Sequence, residues 1–202
     1  MVRIFIFLAL FLSACGGGAG LNLSQYSDPG ASPQRFNVCH GYGCYQKTLV
    51  GLHPYEWNSV RAIFVRPSKD AAAEREKIGQ AIALMEYYVG SLAGTQDDLP
   101  KAPLVRSSYK EQDCIDETVN TTKYLGFLET DGLLKFHRAG KPVYKGLMVD
   151  GIYPHNSATI VEMPSGDVYV VDSYIYKNAA IPDIRSYESW KYYRIEDLPE
   201  RE

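Results

Sequence analysis

Basic side chains are in short supply in this 202-residue chain: 21 Lys and Arg stand against 24 Asp and Glu, for a formal charge of −3. No run of them clusters in the way that neutralises phosphates, which argues against nucleic acid as a partner. No internal repeat is present, so stacked-repeat architectures are out. After the opening residues, no apolar stretch is long enough to cross a bilayer. Cysteine is scarce too, at four residues, so each one needs its own account.

What is present begins with "MVRIFIFLALFLSACGGG". One cation at Arg3, an apolar run from Ile4 to Leu12 and the small residues Ser13 and Ala14 form the pattern of a secretory signal over residues 1–14, too short to span a membrane. Residues 15–35, rich in Gly, Ser and Pro, are predicted to be a flexible tether. The remainder, 36–202, suits one domain with a core of its own. The segment Leu12-Ser13-Ala14-Cys15 resembles the lipobox of bacterial lipoproteins, which implies cleavage before Cys15 and lipid on its sulfur; an ordinary cleaved signal is the alternative. The same resemblance places the protein in the bacterial cell envelope, anchored to a membrane. Gly16, in place of the aspartate that retains such proteins at the inner membrane of Gram-negative cells, points to the outer one.

Export decides how the other cysteines are read. Cys39 and Cys44, in "VCHGYGCY", enclose four residues of which two are Gly, a spacing that allows a tight turn, and an oxidising compartment favours a disulfide between them. Cys39, His40 and Cys44 also admit a metal, but no second ligand pair with zinc-like spacing accompanies them, and neither metal nor cofactor is expected. Cys114 is left over. Such a cysteine is a reactive thiol, an intermolecular link or a buried small hydrophobe.

Its surroundings narrow the choice. Ile78, Ile82, Met85, Val89 and Leu92 recur at helical spacing between a cap at Ser68 or Asp70 and a stop at Gly94. A second helix is predicted from an N-cap at Asp113 to the Asp131-Gly132 stop, with Ile115, Val119, Thr122, Leu125 and Leu128 on its apolar face. Cys114 then lies in a first turn, where unsatisfied N–H groups and the helix dipole favour a thiolate. Asp116 and Glu117 oppose this as nearby anions, so a cationic partner is needed.

After Pro142 the pattern turns strand-like in "VYKGLMVDGIY", "HNSATIVEM" and "DVYVVDSY", the last two forming a hairpin through "PSGD". A two-residue turn at Ser165-Gly166 pairs Thr159 with Asp172. That register puts His155 and Asp172 on one face but four residues out of step, about 13 Å apart along the strand, a gap that requires a bulge or strong coiling. His53 and His137 are expected to be structural. The tyrosines, among them Tyr169, Tyr174, Tyr176, Tyr187, Tyr192 and Tyr193, either line a groove or cover a sheet.

A helix-start cysteine, a strand beginning with His155 and a hydrophobic strand ending in "VVDSY" together resemble the core of the transglutaminase-like branch of papain-fold cysteine enzymes, over about residues 107–176. The resemblance implies an α+β papain-like fold, N-terminal helices packed on an antiparallel sheet. It also implies Cys114 as nucleophile, His155 as general base and acid, and Asp172 as the group orienting the imidazole. Ser157 stands where that family often has an aromatic residue. Gln112 is a candidate oxyanion donor beside the Cys114 N–H, or else an exposed loop residue. The wider pattern, including "VCHGYGC" and "PHNSATIVE", is similar to a set of bacterial exported proteins, which supplies no activity. Two expectations follow: a thiol enzyme acting on an amide in a peptide, a protein or the cell wall, or a non-catalytic binding or assembly module of the same fold.

Overall fold

The computed structural model describes residues 22–101, 108–146 and 154–194. The signal segment 1–14, Cys15 and Gly16 lie outside the described residues. From Asn22 onward the chain lies on the domain. A 3-10 turn at Leu23–Tyr26 is followed by Asp28, whose carboxylate accepts the Asn37 backbone N–H at 2.6 Å and the Lys123 ammonium at 3.2 Å. Pro33 accepts the Leu52 N–H at 2.8 Å. The expected tether is therefore shortened at its far end: residues 22–35 are held by part-buried polar contacts that their small, polar composition does not announce.

A hairpin of β1 (Phe36–His40) and β2 (Gln46–Val50) comes next, ahead of the helices α1 (Pro54–Phe64), α2 (Ala71–Ala93) and α3 (Cys114–Thr130). Short strands β3 (His137–Ala139) and β4 (Val143–Lys145), then β5 (His155–Glu162), β6 (Val168–Asp172) and β7 (Asp183–Ser186), form an antiparallel sheet ordered β3-β5-β6-β7, with β4 paired to the first half of β5. A short helix α4 (Tyr187–Tyr192) closes the described chain. The fold is mixed α+β with antiparallel sheets, and the leading hairpin was not anticipated.

Asp70 caps α2 through the Ala73 N–H, and Gly94 ends the helix with a φ of 77°, a conformation that suits glycine. Ile78, Ile82, Met85 and Val89 are buried as their spacing predicts, but Leu92 is 46 % exposed. They meet Leu125 and Leu128 of α3 and Ala158, Ile160 and Val171 of the sheet in one core. The single apolar face expected for α3 is too narrow: residues 116–121 are all buried, polar ones included. The β1–β2 hairpin, the sheet and the 95–98 loop enclose that half of the helix on several sides.

The β5–β6 turn differs from expectation in a way that matters for the site. It spans four residues, 163–166, closed by Glu162 N–H to Asp167 O at 2.8 Å, so Thr159 faces Val170 and Ala158 faces Val171. Continued by one step, this register sets Asp172 beside Ser157, halving the separation from His155. A diagonal neighbour at that offset lies within reach of an imidazole and a carboxylate, and no bulge is needed.

Candidate active site

The site is built at the start of α3. Asp113 Oδ1 accepts the Ile115 and Asp116 N–H groups at 3.0 and 2.9 Å, and Asp116 Oδ2 accepts the Asp113 N–H at 3.1 Å, a reciprocal cap. Cys114 is the first helical residue, half-buried, with a free thiol.

Against this cap sits the turn of the β1–β2 hairpin. Gly41, Tyr42, Gly43 and Cys44 all have left-handed φ values, between 59° and 77°. Successive N–H groups in such a turn point into one concavity that suits an anion. Here the acceptors are the chain's own: Tyr42 and Cys44 N–H donate to Asp116 at 2.9 and 2.6 Å, and Gly43 N–H donates to Asp113 at 3.0 Å. A Cys39–Cys44 disulfide closes the turn. Because the two sulfurs are bonded to each other, neither is available as the thiolate ligand that a metal with Asp116 would require.

Asp116 and Glu117 thus oppose a thiolate less than the sequence implies. Burial pushes Asp116 up to about 7 and Glu117 well above the ordinary carboxylate range, so neither is a full anion at neutral pH. Burial likewise pushes Glu86 to about 7 and Asp98 to about 9.

The cationic partner is His155, the first residue of β5. Its Nε2 pairs with Asp172 Oδ2 at 2.8 Å. Thr121 of α3 bonds Ser173, next to Asp172, at 3.0 Å, which fixes the end of β6 to the helix. Burial disfavours the imidazolium, but the Asp172 carboxylate outweighs it, with a smaller contribution from Cys114, and raises His155 to about 9. Asp172, penalised by its own burial, is still held below the usual carboxylate value by His155, by the Trp190 N–H and by Lys145. The remaining ring nitrogen, His155 Nδ1, is buried and has no hydrogen-bond partner, while Cys114 is close enough to act on the ring's titration. Cys114, His155 and Asp172 are therefore brought together.

Gln112 is not an exposed loop residue. It is 5 % exposed, its N–H donates to Asp98 at 2.5 Å and its Nε2 donates to the Cys39 carbonyl at 3.0 Å. That amide braces β1 against the start of α3 rather than being held ready for an oxyanion. His53 caps α1, and buried His137 is bonded to Glu74 at 2.9 Å; both are structural. The tyrosines do not form one groove. Tyr174 lies 5.2 Å from the His155 ring, whereas Tyr169 stacks with Arg75 and Tyr192 is exposed.

Sequence reasoning missed Trp190, Lys145 and the role of Tyr193. Trp190 Nε1 and Tyr193 OH both donate to Asp172 Oδ2, at 2.7 and 3.2 Å. A tryptophan, one of only two, following a strand that pairs with the Asp172 strand was the available signal. The cavity of about 240 Å³ lined by Trp57, Arg61 and Asp131 lies at the opposite end of α3 from the thiol. Comparisons with protein-family models, with curated proteins and with solved structures return no match.

Proposed function

We propose that this protein is a thiol enzyme of the transglutaminase-like, papain-fold type, held at the bacterial envelope by lipid on Cys15 and acting on an amide of a peptide, a protein or the cell wall. One observation carries the reading: an imidazole with one nitrogen fixed to a buried carboxylate and the other unpaired, beside a thiol at a helix N-terminus.

Each group has a step to perform. The Cys114 thiolate attacks the amide carbonyl carbon, forming a C–S bond and a tetrahedral oxyanion, for which the Cys114 N–H, unbonded within the helix by its position, is a donor. The C–N bond then breaks as the His155 imidazolium gives its Nδ1 proton to the leaving amine. In the second half His155 takes a proton from water or from an acceptor amine, which attacks the thioester, and the thiolate departs. Asp172 keeps the ring oriented and stabilises its cation throughout.

Iodoacetamide alkylation of Cys114 between pH 5 and 9 tests this. A cation that persists to about pH 9 is expected to keep the thiol reactive at pH 6, with His155→Ala lowering that rate by at least tenfold and Asp172→Asn by less. A rate that follows an ordinary thiol titration in both proteins rejects the enzyme. The second reading, a non-catalytic envelope module of the same fold, is favoured by one observation, that His155 is 0 % exposed. In that case Cys114→Ala would cost stability alone.

A further inference from the structure

Asp172 Oδ2 receives three donors, and two of them, Trp190 Nε1 and Tyr193 OH, come from the corner that α4 makes after β7. A six-residue helix has little stability of its own, and its last carbonyls lack partners within the helix. What meets them is Lys145. Its ammonium, on a residue only 4 % exposed, donates to Trp190 O at 2.9 Å and Tyr193 O at 3.1 Å. The same ammonium lies 4.4 Å from the Trp190 ring and 3.6 Å from the Tyr193 ring, and Arg185 stacks on Tyr193 at 4.2 Å. A buried lysine is costly unless paired. Asp172 is the buried carboxylate whose charge Lys145 stabilises, and the two are joined through this corner. The β4–β5 ladder pairs Lys145 directly with His155, so one stretch of backbone pairing places both cations.

Resting on the reading of His155 and Asp172 given above, we infer that Lys145 is a positioning residue: it fastens the Trp190–Tyr193 corner over the Asp172–His155 pair, and through that corner fixes the carboxylate in the orientation that leaves Nδ1 free to serve Cys114. Other charged groups face the pair without replacing Lys145. Asp183, opposite Asp172 on β7, is already bonded to Arg185, and Glu117 of α3 is an acid whose burial holds it back from ionising, so neither supplies a positive charge.

Histidine-labelled NMR of the full chain reads this directly, through exchange of the His155 Nε2 proton with water at pH 6. Lys145→Met keeps most of the length of the side chain and removes its charge and donors. The expected result is exchange at least tenfold faster than in the parent, with Cys114 alkylation at pH 6 reduced by a similar factor and the circular dichroism of the fold retained. Unchanged proton exchange in a folded Lys145→Met protein overturns the inference. Should that variant fail to fold, Tyr193→Phe removes only the hydroxyl and is expected to speed exchange about threefold; no change there also overturns it. A parent protein whose Cys114 is inert would instead defeat the enzyme reading, while proton exchange would still report on Lys145.

Discussion

Asp172 concentrates the residue-scale physics of this molecule: one carboxylate oxygen, fully buried, shared by an imidazole, an indole and a phenol. Removing one member of a buried ion pair leaves the other uncompensated, which costs several kcal/mol. His155 is raised from 6.5 to about 9, so its contribution to stability is complete below pH 6.5 and is lost as the pH rises through 9. Asp172→Asn is therefore expected to destabilise the fold by about 3 kcal/mol at pH 6, a value set by the size of that shift, and by clearly less at pH 10. Urea unfolding at the two pH values measures it; an equal loss at both would separate the destabilisation from the ion pair. Cys114, His155 and Asp172 were legible in the sequence because a helix cap, a strand start and a strand end are local signals. Lys145 was not, because a lysine in an alternating strand reads as solvent-facing until α4, some 45 residues later, is folded over it.

At the scale of elements, the start of α3 depends on the turn pressed against it. Three N–H groups, from Tyr42, Cys44 and Asp113, converge on Asp116, and two of these come from residues in left-handed conformations that side chains rarely adopt. Asp116→Ala leaves those donors, of which the Cys44 N–H is buried and the other two part-buried, without an acceptor, and a loss of about 2–3 kcal/mol is expected, the cost of a lost buried network. It should be accompanied by easier reduction of the Cys39–Cys44 disulfide, measured by thiol labelling under graded reductant; an unchanged unfolding midpoint counts against the arrangement. The disulfide was legible from its two glycines. The carboxyl-holding role of the turn was not, since its partners lie some 70 residues away. The β5–β6 pairing shows the same limit. Alternation gave the correct face for His155 and Asp172 because a shift of register by two residues preserves side-chain direction, but turn length sets the offset, and "PSGD" reads equally well as the centre of a shorter turn.

For the molecule as a whole, the buried acids and His155 act in one direction. Glu86 and Asp116 near 7, Asp98 near 9 and Glu117 above the ordinary range all hold more protons folded than unfolded. Their contribution to stability is complete below pH 4 and declines as the pH rises through those values; that of His155 declines up to about 9. Asp28, held low by the Asn37 N–H and by Lys123, and Asp131, held low by Arg61, contribute above pH 4 and lose that contribution only in stronger acid. Stability is therefore expected to peak near pH 5, with a melting temperature roughly 5–10 °C higher there than at pH 8.5. Calorimetry across that range decides the sign, and a melting temperature that rises toward pH 8.5 refutes it. Cys15→Ser, in turn, should move the protein from the membrane fraction to the soluble one; unchanged membrane association would show that the anchor is elsewhere.

The docking of residues 22–35 onto the domain sets a radius of action. If lipid sits on Cys15, only the seven links from Cys15 to Asn22 separate it from folded protein, a span of at most about 25 Å when fully extended. Such a leash keeps the folded domain, and the thiol with it, close to the surface that carries the lipid. Collisions with partners fixed to the same surface then depend on lateral diffusion in two dimensions, and anything beyond that reach has to come to the protein.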